Sequence, residues 1–381
     1  MKCLRCHNED RRMFAYDHGV YYCRKCVAFG RLNVGEQDQR PMIVSKKISV
    51  EPLLRFRLTP EQKRVSRQVL DHLLNHKDVF VYAATGAGKT EITFESICSY
   101  LAQGKKVGFA ISRRQVVLEL WERLSSAFPT LRVVAVTQGY TDELDGDLIV
   151  CTIHQLYRYP FTFDLLILDE LDAFPYAQDP LLHQLVKNAC KGERLCLSAT
   201  IDEQLQKEID AKKLEVVELF KRPHGKPLIE PKIIQAPVWF QFVLLRLYLE
   251  CFIRDRKQTL VFVPTRKKAI WIKRMLWWIS VESIHAQDPQ KDEKMKLFKE
   301  KKWDVLVSTT LLERGITIDS VQVIVFQADD PVFTQASLIQ IFGRVGRKFS
   351  DPYGKGICLC QFRKKSILSC VSTIQKMNRS V

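Results

Sequence analysis

Residues 79–90 read Val-Phe-Val-Tyr-Ala-Ala-Thr-Gly-Ala-Gly-Lys-Thr, a β-branched and aromatic run that leads directly into a glycine-containing loop. The apolar run is typical of a buried strand. The loop matches the phosphate-binding pattern of a glycine, four residues, a second glycine, a lysine and a serine or threonine, except that Ala83 replaces the first glycine. Residues 91–101 then have a helical pattern. Strand, loop and helix in this order predict an α/β domain that binds phosphate groups.

Each position in this loop has a chemical reason. Gly86 and Gly88 let backbone N–H groups approach phosphate oxygens, and Lys89 neutralises the charge on the β and γ phosphates. The hydroxyl of the next residue can hold Mg²⁺. We therefore predict ATP and Mg²⁺ as ligands, with Lys89 also taking part in catalysis. The predicted nucleotide-binding residues of the loop are Gly86, Ala87, Gly88, Lys89 and Thr90.

A second apolar run ends in acidic residues, since residues 165–172 read Leu-Leu-Ile-Leu-Asp-Glu-Leu-Asp. A buried parallel strand would bring Asp169 to the sheet edge that carries the phosphate loop, where it can reach the Mg²⁺ held by Thr90. Glu170, the next residue, is placed to orient and deprotonate an attacking water. The alternative interpretation is that these acids only mark the end of a strand.

Short apolar runs alternate with helical patterns along the rest of the chain, which predicts parallel sheets covered by helices. One series of runs lies between residues 79 and 197, and a second lies between residues 260 and 359. Residues 202–237 contain four prolines and are predicted to connect the two series. The predicted organisation is a metal-binding module at 1–30, a connector at 31–57, a first α/β domain at 58–215, a linker at 216–236 and a second α/β domain at 237–381.

Two arginines near the end of the second series are predicted to act on the transferring phosphate. Arg344 and Arg347 are three residues apart, so on a helix they would project from one side. Two guanidinium groups can stabilise the charge that develops on a γ-phosphate, and Gln340 would support the same site. Ser198 and Thr200 would relay the state of the site to the connector. The alternative is a solvated basic patch.

Four of the twelve cysteines form two CxxC pairs, Cys3 with Cys6 and Cys23 with Cys26. Sixteen residues separate the pairs, a spacing that is typical of a structural Zn²⁺ site with four thiolate ligands. Basic neighbours such as Arg5 favour thiolates and are expected to leave the module basic for nucleic acid. Unligated structural cysteines and a redox motif are the alternatives. The other eight cysteines lie among apolar neighbours, and we expect them to be core residues.

Composition narrows the class of protein. The 381 residues are 46% hydrophobic and 27% charged, which is typical of globular proteins and excludes a disordered chain. Neither an apolar run of membrane-spanning length nor a signal peptide is recognisable, so a cytoplasmic location is predicted. The net charge of +16 favours a polyanionic partner, either nucleic acid or an anionic membrane surface.

The order of these motifs resembles the superfamily-2 helicases and translocases. The resemblance covers residues 58–347 and includes two further stretches, Phe-Val-Pro-Thr-Arg at 262–266 and Val-Ser-Thr-Thr-Leu-Leu-Glu-Arg-Gly-Ile-Thr at 307–317. It implies two RecA-like parallel-sheet domains in tandem, with ATP in the cleft between them, preceded by the small four-cysteine zinc module. Gln62 would match the adenine-reading glutamine of the family, and Gly315 would join the nucleotide site.

The resemblance also implies a nucleic-acid path. Single strands are held by neutralising the backbone and by stacking on aromatic side chains. The tryptophans at 271, 277 and 278 lie in a basic region, but their helical spacing predicts that they are core residues. The residues that match nucleic-acid positions of the family are Arg113, Arg114, Thr137, Gln138, Thr152, His154, Thr265 and Arg266.

A finer resemblance rests on residues 169–176, residues 309–317 and the cysteine module. Together they resemble the late-competence DNA translocases of naturally transformable bacteria, whose nearer relatives include the primosomal helicase PriA. This implies a single-stranded DNA track, a location at the inner face of the cytoplasmic membrane, and two partners, a ComFC-like protein of the phosphoribosyltransferase fold and the membrane DNA channel. It also implies residues ahead of the first CxxC pair, so an N-terminal element is expected to be missing or shortened.

Other functions remain compatible with the residues. A PriA-like helicase of replication restart or repair would carry the same motifs, as would a nucleotide-gated scaffold that clamps nucleic acid without moving along it. Glu170, Arg344 and Arg347 favour turnover over clamping, because a clamp needs no carboxylate that activates water. No residue in the sequence distinguishes DNA from RNA.

Overall fold

The structure is a computed structural model that describes residues 1–172, 175–176, 179–285, 287–309, 321–347, 349 and 351–380. Its residues form two compact units. The first comprises residues 1–83 and 89–219, and the second comprises the loop 84–88 together with residues 220–381. No helix in the described part of the chain is long and apolar enough to cross a membrane.

The first unit is built on a parallel sheet of seven strands in the order β5-β6-β4-β7-β8-β3-β9. Several strands are buried along their whole length, as expected for a sheet covered on both faces. Its strands are β3 (Val79–Ala83), β4 (Val107–Ile111), β5 (Val133–Val136), β6 (Leu148–Thr152), β7 (Phe163–Asp169), β8 (Cys190–Ser198) and β9 (Glu215–Leu219). Its helices are α1 (Pro60–Leu74), α2 (Phe94–Ala102), α3 (Arg114–Ala127), α4 (Pro180–Ala189) and α5 (Glu203–Asp210).

The second unit contains a parallel sheet of six strands in the order β10-β15-β14-β11-β13-β12. Its strands are β10 (Lys232–Gln235), β11 (Thr259–Phe262), β12 (Val281–Ile284), β13 (Val305–Ser308), β14 (Gln322–Val325) and β15 (Gly356–Cys360). Its helices are α6 (Val238–Arg254), α7 (Arg266–Met275), α8 (Lys291–Lys299), α9 (Gln335–Phe342) and α10 (Lys365–Arg379). The two parallel sheets confirm the predicted fold class of tandem RecA-like domains.

A small module precedes the first sheet. The antiparallel strands β1 (Phe14–Asp17) and β2 (Val20–Cys23) form a hairpin, and the four CxxC cysteines are buried beside it. Leu32 also packs in this core, although the sequence predicts that the module ends near residue 30. The module therefore uses residues of the predicted connector to complete its interior.

The segment predicted as a connector contains regular structure. Residues 202–237 include helix α5 and the strands β9 and β10, which lie at the edges of their sheets. Proline and charged residues mask the short apolar runs of both strands. Edge strands also need burial on fewer sides, so their apolar signal is weaker than that of central strands.

The tryptophans of the second unit contradict the prediction that they are core residues. Trp277 is 81% exposed, and Trp271 and Trp278 are each at least 40% exposed. The inward side of α7 is formed by smaller residues, Ala269 and Ile272. The helix ends at Met275, so the helical periodicity on which the prediction depended does not extend to residues 277 and 278.

Candidate functional site

The phosphate loop joins strand β3 of the first unit to the turn that precedes α2. Gly86 and Gly88 have φ values of +79° and +86°, a region in which residues with a Cβ are strained. Ala84 and Ala87 are fully buried. The positive φ values therefore explain why glycine occupies positions 86 and 88. Ala83, which replaces the first glycine of the pattern, is the last residue of β3 and has no need of glycine's conformational freedom.

Thr90 has a neighbour that sequence reasoning missed. A 3₁₀ turn at Glu91–Thr93 separates the loop from α2, whereas the sequence predicts one helix over residues 91–101. Arg123, on α3, donates from Nη1 to Thr90 Oγ1 at 3.3 Å and also pairs with Glu91. No motif marks Arg123, because a charged residue on a helix face is ordinary.

The acidic pair lies at the carboxyl end of β7. Asp169 is the last residue of the strand, and its Oδ1 accepts a hydrogen bond from the backbone N–H of Glu170 at 2.8 Å. Glu170 has a φ of +57°, an uncommon backbone conformation for a residue with a side chain. Strands β7, β8 and β3 are neighbours in a parallel sheet, so their carboxyl ends share one edge. A hydroxyl and carboxylates at this edge are ligand types that suit Mg²⁺.

The acidic motif is bonded to the end of β8. Asp172 accepts from Ser198 Oγ at 3.1 Å and from Thr200 Oγ1 at 2.6 Å. The backbone N–H of Thr200 also donates to Ser198 Oγ at 3.1 Å. The two hydroxyl residues are therefore tied to the acidic motif of their own unit. Their predicted role in relaying the state of the site to the connector stays a prediction.

Gln62 lies at the start of α1 and is buried, with 4% of its surface exposed. Its Oε1 accepts from the Thr59 backbone N–H at 2.9 Å, while Thr59 Oγ1 accepts from the Gln62 N–H at 3.2 Å. This is a capping box, which stabilises the first turn of a helix. The side chain is thus held in a fixed position at the beginning of the first unit's sheet domain.

In the second unit, Arg344 and Arg347 follow α9 instead of lying on it. The helix ends at Phe342, and Gly346 has a φ of +60°, so the premise that both arginines project from one side of a helix is wrong. Arg344 and Gln340 are buried. A Cβ placed on Gly86, which belongs to this unit, would lie 3.2 Å from Arg347 Cγ. Gly315 lies outside the described residues.

The four CxxC thiols converge on one point. Their Sγ atoms all lie within 4.8 Å of one another, and the Cys3–Cys26 and Cys6–Cys23 sulfur distances are both 3.6 Å. Tetrahedral Zn–S bonds of about 2.3 Å place sulfur atoms about 3.8 Å apart, so the cage fits this ion. Contacts with Cys3 and Cys6, together with burial, raise the pKa of the Cys26 thiol. Four thiolates this close together would repel one another, so a cation among them would stabilise their ionised form.

Arg5 has a structural role that contradicts its predicted role as a surface cation for nucleic acid. Only 5% of Arg5 is exposed. Its guanidinium forms a bidentate pair with Asp38 and donates to the carbonyl oxygens of Cys26 at 3.1 Å and Gly30 at 2.7 Å. It also lies over the Tyr157 ring at 5.4 Å. Arg5 therefore joins the cysteine cage, the predicted connector and the first sheet domain.

Within the first unit, the module packs against α4 and lies beside a predicted nucleic-acid residue. Asn188, on α4, donates to the carbonyl oxygens of Leu4 and Arg5 at 3.3 and 2.8 Å. Phe29 lies 6.1 Å from the His154 ring, and burial lowers the pKa of His154. His154 is therefore packed against the module, and its partial burial disfavours the charged form of the ring.

The remaining predicted nucleic-acid residues of the first unit follow the carboxyl ends of β4, β5 and β6. Arg114 donates from Nε to the Gln138 carbonyl oxygen at 2.9 Å, so these two predicted residues are in contact. Thr137 and Thr152 are buried, so neither residue is accessible to nucleic acid in this conformation. Arg113 is partly exposed.

In the second unit, Thr265 and Arg266 lie at the start of α7, and Arg266 lines an open cavity of about 440 Å³. Thr265 caps the helix by accepting from the Lys268 N–H at 3.3 Å. Within the described residues, neither Arg266 nor Arg274 of the cavity wall forms an ion pair, whereas Lys294 pairs with Asp288 at 2.8 Å. The cavity thus offers two guanidinium groups to an anion.

Two helicase family models match the chain. The DEAD/DEAH box helicase domain matches residues 60–208, and the helicase conserved C-terminal domain matches residues 243–349. Among solved structures, Dbp5 of S. cerevisiae bound to RNA and ADP BeF3 has a TM-score of 0.60 at 18% identity and covers 85% of this chain and 92% of its own. RecG bound to a three-way DNA junction also has a TM-score of 0.60, at 19% identity, over 84% of this chain and 45% of its own. These likenesses show the fold, and the family models make the chain an ATP hydrolase.

Curated relatives match nearly the whole chain. Competence protein ComFA of Bacillus subtilis strain 168 is 32% identical over 99% of this chain and 85% of its own length. Competence protein ComFA of Streptococcus pneumoniae strain R6 is 33% identical over 99% of this chain and 90% of its own. The helicase domains, the tandem parallel sheets and this full-length similarity show that the chain belongs to the ComFA family of superfamily-2 helicases.

Proposed function

We propose that this protein is an ATP-dependent translocase on single-stranded DNA, and that it drives the uptake of transforming DNA into the cytoplasm during natural competence. The observation that carries the proposal is the similarity to two ComFA proteins over 99% of the chain. The inner face of the cytoplasmic membrane is the proposed location, with the membrane DNA channel and a ComFC-like protein as proposed partners.

Hydrolysis uses groups at the phosphate loop and at the ends of β7 and α9. The loop N–H groups and Lys89 bind the phosphates, while Thr90 and Asp169 would hold Mg²⁺, which would neutralise phosphate charge when bound. Glu170 accepts a proton from the attacking water. Arg344 and Arg347 stabilise the charge on the γ-phosphoryl group as its bond to the β-phosphate breaks. In the same proposal Gln62 reads the adenine, and Gln340 and Gly315 support the nucleotide.

The DNA contacts are proposed at the carboxyl ends of the strands. Arg114 with Gln138 in the first unit and Arg266 in the second present polar groups there. Together with the net charge of +16, these groups suit a phosphodiester backbone and provide no sequence readout. Binding to single strands should accordingly weaken as the salt concentration rises, because bound counterions are released.

Two substitutions test the assignment of the catalytic groups. Lys89→Ala should weaken ATP binding, because Lys89 contacts phosphate charge that is already present in the ground state. Glu170→Gln should keep ATP binding and lose turnover, because the carboxylate acts only on the attacking water. The measurements are nucleotide affinity and single-turnover hydrolysis. Hydrolysis by Glu170→Gln at the wild-type rate would refute the assignment of Glu170 as the base.

The choice of track is tested by measuring the ATPase rate with single-stranded DNA, duplex DNA and RNA of equal length. The proposal expects the largest stimulation from single-stranded DNA, without sequence preference. In a transformable host, Glu170→Gln should reduce transformation while leaving DNA binding at the cell surface intact. Normal transformation with the variant present at the wild-type level would exclude the role in DNA uptake. The protein could then still be a translocase, but one that acts in another process.

A second candidate is a DNA helicase of replication restart or repair. It is favoured by the similarity to the ATP-dependent DNA helicase RecG of Streptococcus pneumoniae, which is 24% identical over 81% of this chain and 49% of its own length. A forked duplex with a fluorescent strand separates the two candidates. Strand separation coupled to ATP hydrolysis favours the helicase, and movement on single strands without separation favours the translocase.

A further inference from the structure

Arg222 is a buried cation that no motif of the sequence singles out. It follows β9 in the segment predicted as a linker, and 1% of its surface is exposed. Within the described residues, no carboxylate lies at ion-pair distance from its guanidinium. A buried charge without a counter-charge is costly, so a side chain of this kind is held by unusually good hydrogen bonds or serves a purpose besides stability.

Among the described residues, the hydrogen-bond partners of Arg222 are all backbone carbonyl oxygens. Nη2 donates to Gly343 at 2.8 Å, and Nη1 donates to Val345 and Gly346, both at 2.9 Å. Nε donates to Thr85, a phosphate-loop residue of the same unit, at 2.9 Å. The guanidinium is planar and rigid, so it fixes the relative positions of the oxygens that it contacts.

The three carbonyl groups from 343 to 346 belong to the turn that ends α9. The last carbonyls of a helix lack partners within it and carry the negative end of the helix dipole. Arg222 supplies both donors and positive charge to this end from a distant part of the chain. Gly346 is closely packed as well, since a Cβ at this position would collide with the Pro352 carbonyl oxygen.

This turn carries the two arginines that the proposed mechanism uses. Arg344 stands between two of the carbonyl groups that Arg222 binds, and Arg347 follows the third. The geometry of the turn therefore sets the direction in which both side chains leave the backbone. Burial, and to a smaller extent the nearby Arg347, lower the pKa of Arg222 to about 9. An anion such as a phosphate would stabilise this arrangement.

We propose that Arg222 is a positioning residue for phosphoryl transfer, which holds the turn 343–346 so that Arg344 and Arg347 point at the transferring phosphate. The inference rests on the proposed role of those two arginines. Arg222 itself does not act on the reacting atoms. Replacing Arg222 should therefore weaken the stabilisation of the transition state, in which the two arginines are used, and should leave the affinity for ADP nearly unchanged.

The test compares Arg222→Gln and Arg222→Lys with two controls. Lys221→Gln changes the exposed neighbour, and Arg194→Gln removes a partly buried arginine of the first unit that pairs with Asp78 and Glu208. Steady-state ATPase rates give kcat and KM, and calorimetry gives the affinities for ADP and for ADP with aluminium fluoride, a mimic of the transferring phosphoryl group. Thermal melting reports folding.

Arg222→Gln should lower kcat roughly tenfold or more, as expected when groups that stabilise the transition state are misplaced. The affinity for ADP should change by less than about threefold, while the affinity for ADP with aluminium fluoride should fall by about the same factor as kcat. Arg222→Lys keeps the positive charge but has a single donor atom. Its kcat and its affinity for ADP with aluminium fluoride should therefore lie between those of the wild type and those of Arg222→Gln. Combining Arg222→Gln with Arg347→Ala should add little to the loss caused by Arg347→Ala alone.

Wild-type kcat in Arg222→Gln would overturn the inference, as would equal losses of affinity for ADP and for the mimic, which indicate a merely structural role. If Arg222→Gln does not fold, the same criteria apply to Arg222→Lys. The two proposals fail separately. Full ATPase activity of Arg344→Ala and Arg347→Ala would refute the proposed site. Loss of ATPase activity in those two variants, together with wild-type activity in Arg222→Lys and Arg222→Gln, would refute only the role of Arg222.

Discussion

The pairing of Arg5 with Asp38 should control the affinity of the cysteine cage for zinc. The side chains are 4% and 12% exposed, so the pair is shielded from water. Asp38→Asn keeps the shape of the side chain and removes its charge. It leaves the buried Arg5 guanidinium with only the carbonyl oxygens of Cys26 and Gly30 as strong acceptors.

The size of the effect follows from the two hydrogen bonds that Asp38 accepts. Hydrogen bonds to charged groups contribute about 1.5–3 kcal/mol each, and removing one partner of a buried ion pair costs about 3–5 kcal/mol. We expect a loss of about 3 kcal/mol in the stability of the folded module. Because metal binding and folding are coupled in modules of this size, zinc affinity should fall about a hundredfold.

Zinc affinity is measured by competition with a chromophoric chelator, and zinc content by elemental analysis. Asp10→Asn is the matched control, because Asp10 also pairs with an arginine of the module, Arg12, but on its surface. This exposed pair should leave zinc affinity unchanged. Wild-type affinity in Asp38→Asn would refute the role of the buried pair, and protein purified without chelator that contains no zinc would refute the metal site itself.

Two further predictions concern packing. Trp277→Ser should shift the melting temperature by no more than about 2 °C, because Trp277 is 81% exposed, whereas Phe252→Ala in the core of the second unit should cost about 3–5 kcal/mol. Equal destabilisation by both would show that Trp277 is buried. Gly108→Ala should destabilise the first unit by about 1–3 kcal/mol, since the new Cβ would lie 2.6 Å from the Phe163 ring. Adding Phe163→Leu should recover part of that loss, and no recovery would contradict the proposed clash.

The central strands and the phosphate loop could be predicted because their signals are local. Strand β3 is covered on both faces, so it is apolar throughout, and Gly86 and Gly88 are required by their backbone angles. The CxxC pairs are equally local, since each pair brings two thiols together within one turn. For these features the residues that carry the signal are also the residues that carry the function.

The prediction failed where distant segments meet. Arg5 has the sequence pattern of a surface cation, and only its contact with Asp38, 33 positions away, buries it. The tryptophans at 271 and 278 have the spacing of a core face, yet α7 presents Ala269 and Ile272 inward instead. Periodicity identifies an apolar side of a helix, but it does not say whether the protein has enough interior to cover that side.

The role of Arg222 could not be predicted for a different reason, which is the kind of group that it contacts. Its acceptors are backbone carbonyl groups, and every residue has one, so no residue type at positions 343, 345 or 346 could reveal the contact. Such a contact depends on the path of the chain, which brings Arg222 to the turn 343–346 across more than a hundred positions of sequence. The role of Arg222 therefore depends on the geometry of a distant turn. Replacing Arg222 should slow ATP hydrolysis, although it belongs neither to the phosphate loop nor to the stretch that carries Arg344 and Arg347.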